Sequence, residues 1–162
     1  MLKQTSVALF MAGCLILGLA FTTAAGDTES AVATWKRDTA PADATGAAGS
    51  APKFEIARVE AQKNGLKLVL ETADSKETVA RAEYEGKWNG KDYPVAGLPD
   101  TDTISLSKID GYTIDCAYKK SGKVVRNERI VLSRDGKRAT VFRIGRDRSG
   151  LDATVVAVWD RQ

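Results

Sequence analysis

The chain has 162 residues, is 43% hydrophobic and 28% charged, and carries 24 basic and 21 acidic side chains, two cysteines and no histidine. That apolar fraction can support one folded domain, so wholesale disorder is excluded. The lack of histidine excludes Ser-His and Cys-His nucleophile systems and imidazole-bound zinc.

The N-terminus reads as a signal peptide over residues 1–25. Lys3 is followed by an uncharged stretch from Val7 to Phe21, then by the small residues Thr23-Ala24-Ala25. Positive start, apolar middle and small-residue cleavage site are the marks of an export signal. The uncharged stretch is shorter than the roughly 20 residues a membrane span needs. Met11-Ala12-Gly13-Cys14 also resembles a lipobox. However, a lipidated Cys14 would lead into Leu15-Ile16-Leu17 rather than a polar tether, so cleavage after Ala25 is the preferred reading. The expected location is periplasmic or secreted. The exported chain then begins with a flexible stretch, 26–31, and continues as one domain over 32–162. It keeps a single cysteine, Cys116, and can form no internal disulfide.

Residues 38–52 are rich in Ala, Gly and Pro and hold no large apolar side chain, so they read as a loop. Beyond them, turn signals recur at strand-plus-turn spacing: Asn64-Gly65, Asn89-Gly90, Asp110-Gly111, Ser121-Gly122, Asp135-Gly136 and Ser149-Gly150. The segments between them alternate with period two. Leu66, Leu68 and Leu70 share one face, as do Ile104 and Leu106, and as do Tyr112, Ile114, Cys116 and Tyr118. Ten strands are predicted: 32–37, 54–61, 66–72, 79–87, 91–95, 103–109, 112–119, 124–132, 139–144 and 153–159. The fold class is all-β, an antiparallel up-and-down meander of about 8–10 strands. Such a meander closes into a barrel because closure removes its edges. The last strand, Val155–Trp159, is apolar on both faces and is expected to sit under a covering surface.

Several motifs recur together: Thr34-Trp35-Lys36, then Lys91-Asp92-Tyr93-Pro94-Val95 running into Asp100-Thr101-Asp102-Thr103, and later Val156-Ala157-Val158-Trp159-Asp160. With them, residues 33–162 resemble a group of secreted, largely uncharacterised bacterial lipocalin-like proteins. The wider likeness is to calycin barrels, including fatty-acid-binding proteins. That resemblance implies a closed barrel and an interior ligand. The Arg-x-Tyr pair with which fatty-acid-binding proteins hold a carboxylate in the last strand is replaced here by Val-Ala-Val-Trp, so that device does not carry over.

Two candidate sites follow. Trp35, Tyr93, Tyr112, Cys116 and Tyr118 could line a cavity for a small hydrophobic ligand, or fill a small barrel with side chains. The stretch Lys119–Arg148 holds eleven basic residues against Glu128, Asp135 and Asp147. Its residues Arg126, Arg129, Arg138, Arg143, Arg146 and Arg148 could form a patch for anionic lipid or cell-wall polymer, or a solvated face, with Arg126, Glu128 and Arg143 paired across strands. Asp100-Thr101-Asp102 reads as a turn rather than a cation site. Neither metal nor cofactor is expected. Export makes nucleic acid a poor partner, a monomer is expected, and no residue set points to catalysis. The leading expectation is a non-enzymatic binder of a small apolar or amphipathic ligand. The alternative is an envelope module acting through its basic face.

Overall fold

A computed structural model describes residues 28–37, 54–73, 79–146 and 152–162. The predicted signal peptide with Cys14, the predicted loop 38–52 and Arg148 lie outside the described residues. A single 3-10 turn, Thr28–Ala31, precedes ten antiparallel strands. These are β1 (Ala33–Arg37), β2 (Phe54–Gln62), β3 (Gly65–Ala73), β4 (Val79–Lys87), β5 (Asp92–Ala96), β6 (Thr103–Lys108), β7 (Thr113–Lys120), β8 (Lys123–Leu132), β9 (Arg138–Arg146) and β10 (Asp152–Arg161). Each strand pairs with its sequence neighbour, and β1 pairs with β10 to close the barrel. Closure uses the register Trp35↔Arg161 and Arg37↔Trp159. Each described strand then has a neighbour on both sides.

The turns that join the strands follow from their residues. Ser121 and Gly122 both have positive φ (50° and 75°) between β7 and β8. Two such residues make the tight hairpin turn whose twist matches the flanking strands. The loosest seam lies between β4 and β5, which share only Glu83↔Ala96 and Tyr84↔Val95.

Because directly opposed residues share a face, the pairing carries one inward set around the barrel. Ile114, Cys116 and Tyr118 of β7 face inward. Opposite them on β8 stand Ile130, Glu128 and Arg126. Opposite those on β9 stand Val141, Arg143 and Gly145. The inward set includes Trp35, Ala57, Val59, Tyr84 and Trp159, all buried. Packing is densest on the β6–β7 side, where Ile104, Leu106 and Ile114 are essentially fully buried. Gly86 fits this side for want of a Cβ, which would stand 2.8 Å from Leu106 Cδ1.

One end of the barrel is tied shut. Trp35 Nε1 donates to the Ala31 carbonyl at 2.9 Å, which fastens the 3-10 turn beneath the interior. Arg161 reaches across the same end, donating to the carbonyls of Val32 and Gly136. The expectation for β10 needs correction. Its inner face is buried at Trp159, but Val156 on its outer face is 52% exposed and is not covered. With Phe142 and Ile144 of β9 it forms an apolar strip on the outer wall.

Candidate functional site

The interior is not completely filled. A cavity of about 110 Å³ lies between β1–β4 on one side and β7–β10 on the other. Its walls are mainly aliphatic and aromatic, with Leu68, Leu70, Val141, Trp35, Tyr84 and Trp159 among them. Of the five residues predicted to line a cavity, Trp35, Cys116 and Tyr118 do so. Tyr93 packs against the core from β5 and shares hydrogen bonds with Asn89 through its hydroxyl. Tyr112 does not line the cavity. It precedes β7, is 37% exposed, and its carbonyl accepts from Leu132 N.

Charged side chains stand inside the barrel as well. Glu128 is buried, and its Oε1 accepts from Arg143 Nε at 2.6 Å and lies 3.2 Å from Arg126 Nε. Its Oε2 accepts from the Tyr118 hydroxyl at 3.1 Å. The Arg126 guanidinium lies over the Tyr118 ring, 3.8 Å from its centre, a cation–π contact. A second pair, Arg37–Glu55 at 2.9 Å, sits on the inward faces of β1 and β2 with both side chains mostly buried. These groups form a belt across β1, β2, β7, β8 and β9, toward the end where β7 turns into β8. Among the described residues three guanidiniums face two carboxylates, leaving one positive charge in excess. The Arg126 and Arg143 side chains are 27% and 36% exposed, so solvent reaches this belt while the aliphatic walls beyond it are drier.

The electrostatics of the belt follow from burial. Burial works against the charge of Arg143, but the attraction and hydrogen bond of Glu128 outweigh it and hold its pKa above the ordinary value, with Glu55 adding to the effect. Burial pushes the Tyr118 phenol well above the ordinary value of 10, and the charge on Glu128 pushes it further. Tyr118 is therefore a donor at neutral pH. Burial likewise drives the Cys116 thiol far upward, with Glu128 and Asp115 adding to it. A thiol held neutral is a poor nucleophile.

Two interior donors lack a partner among the described residues: Arg126 Nε, by hydrogen-bond geometry, and Trp159 Nε1. Both residues border the cavity. Buried donors are normally satisfied, so an unpaired pair beside a cavity marks where an acceptor belongs.

The predicted basic patch is not one surface. Arg126 and Arg143 point into the barrel. Arg129 and Arg138 point outward, and each is tied to a carboxylate. Arg129 makes two 2.7 Å bonds to Asp115, and Arg138 bonds Asp160 at 3.0 Å. Arg146 ends β9. Cross-strand pairing of Arg126, Glu128 and Arg143 is present, on the inner face. The physical reason is strand parity: Arg126 and Arg129 are three residues apart and must face opposite ways.

Asp102 belongs to a turn network, where its carboxylate accepts from Lys120 Nζ and Ser121 N. A wider concavity of about 520 Å³ crosses the outside of β6–β9, with the Asp115–Arg129 pair in its lining. Within it Arg129 and Asp115 are tied to each other by two 2.7 Å bonds.

Sequence reasoning did not place Tyr84, Trp159 or the arginine–glutamate belt in the interior. The signal available was register: fixing Cys116 inward fixes Glu128 and then Arg143 inward too. The chain matches no family model, no curated protein and no solved structure, so any functional reading rests on the barrel itself.

Proposed function

We propose that the protein is an exported, non-enzymatic, lipocalin-like barrel that binds a small apolar or amphipathic ligand in its interior. The observation that carries this reading is the apolar cavity bordered by buried donors that have no partner among the described residues. Its size is comparable to the engineered apolar cavities of about 150 Å³ that take up benzene. It is well below the roughly 300–1,000 Å³ of sites for drug-sized ligands. The closed meander and the export-like leader support the lipocalin-like part. The neutral Cys116 thiol and the internally satisfied carboxylates support a binding role over a catalytic one.

The alternative, an outer basic face for anionic lipid or cell-wall polymer, loses support. Two of its arginines point inward and two are neutralised by Asp115 and Asp160.

The test is a titration with toluene. A ligand that binds only the folded state raises the melting temperature by mass action. The expected result is a saturable rise, together with a change in emission from Trp35 and Trp159. No rise at toluene saturation would overturn the interior-binding reading.

A further inference from the structure

Resting on that reading, we infer that the interior ligand is a small monoanion with a single-ring or short-chain apolar body, its charged group held at Arg126 and Arg143. Three observations converge. First, among the described residues the belt carries one positive charge more than it carries negative, and one anionic group balances it. Second, the donors are spare and directed. Among the described residues Arg143 bonds Glu128 through Nε, and its terminal nitrogens have no acceptor there. Arg126 Nε is buried without a hydrogen bond among the described residues, although Glu128 lies 3.2 Å away. Third, Trp159 is more than nine-tenths buried, and its Nε1 has no partner among the described residues at the cavity wall. It offers one neutral N–H to the face of a ring in the cavity.

The Arg126 guanidinium is already fixed by its contact with the Tyr118 ring, and Arg143 by its bond to Glu128. Preorganised donors lose little freedom when an anion arrives, and ionic hydrogen bonds are stronger than neutral ones. Size sets the other limit. About 110 Å³ accommodates one ring or a few methylenes, not a long acyl chain. The ligand therefore enters apolar end first, past the belt, and leaves its charge where water can still reach. Glu128 gives the site selectivity. It cancels one guanidinium, so a dianion would meet uncompensated repulsion from a carboxylate already in place.

The experiment measures binding of toluene, benzamide, benzoate, phenyl phosphate and palmitate to the purified protein at pH 7 and fixed ionic strength. Benzoate is expected to bind at least about tenfold tighter than benzamide and than dianionic phenyl phosphate, with palmitate showing no saturable interior binding. In Arg126→Met, the preference for benzoate over benzamide should vanish. If toluene binds and benzoate shows no advantage over benzamide, the inference fails and the interior-binding reading survives. If neither toluene nor benzoate binds, both fail. Tighter phenyl phosphate would overturn the single-charge argument, and tight palmitate binding would overturn the size limit. The comparison of benzoate with benzamide needs no variant, so a misfolded Arg126→Met leaves it decisive.

Discussion

Glu128→Gln probes the belt most sharply. Glu128 is 7% exposed and serves three partners: Arg143 Nε, Arg126 and the Tyr118 hydroxyl. The amide keeps the shape and can still accept hydrogen bonds, but it removes the carboxylate that contacts both Arg126 and Arg143. Removing one partner of a fully buried ion pair costs about 3–5 kcal/mol. Arg126 and Arg143 keep a quarter to a third of their side-chain surface, so water recovers part of that loss. The expected cost is therefore about 3 kcal/mol, near the lower end of that range. For a domain of this length it corresponds to a melting temperature lower by roughly 10 °C. The assay is urea unfolding followed by tryptophan emission, with the slope compared to confirm two-state behaviour. A double-mutant cycle with Arg143→Met should show coupling of about 1 kcal/mol or more. A Glu128→Gln cost below about 0.5 kcal/mol, the range of ordinary surface changes, would refute the buried belt.

Other expectations follow from the same geometry. Asp115→Asn removes an exposed partner of Arg129 and should cost less than about 1 kcal/mol in the same unfolding assay. Ile104→Ala, in the tightly packed β6–β7 side, should cost about 2–5 kcal/mol. The pKa values of Asp102, Asp110, Asp115 and Asp135 are all lowered from 3.8 by hydrogen bonds, from Lys120, the Tyr112 backbone, Arg129 and Ser133 respectively. A lowered carboxylate pKa adds stability that is present above the unfolded value and lost as pH falls toward the folded one. Unfolding free energy should therefore decline as pH drops through and below about 4, and a flat acid limb would contradict these bonds. In a Cys14→Ser background, Cys116 should resist a thiol reagent in the folded protein and react fully in urea. Rapid labelling without denaturant would contradict its burial.

Strands such as β3, β6 and β7 were legible because they alternate with period two, and turn residues bound most of the others. Ser121-Gly122 and Asn89-Gly90 mark their turns by residue type alone. The predicted strand at Tyr112 ran one residue too far, because Tyr112 has the right parity and the right chemistry but lies in the Asp110–Tyr112 turn. The interior belt was not legible from hydrophobicity. On β9, Phe142 and Ile144 look like inward residues and Arg143 like an outward one. Register reverses that reading, since Glu128 opposite Cys116 must face inward and Arg143 opposite Glu128 must follow. A local pattern scores each strand by itself, whereas a closed barrel makes every strand obey its neighbour. The cost is visible on the outer wall, where Phe142, Ile144 and Val156 are left in water.

The most direct test of the central claim, a partly hollow apolar interior, is a xenon titration read by methyl chemical shifts. Saturable shifts are predicted for Leu68, Leu70 and Val141, with Ile144 and Val156 on the outer wall responding only weakly and linearly. Equal, non-saturating responses from the inner and outer methyls would contradict the account.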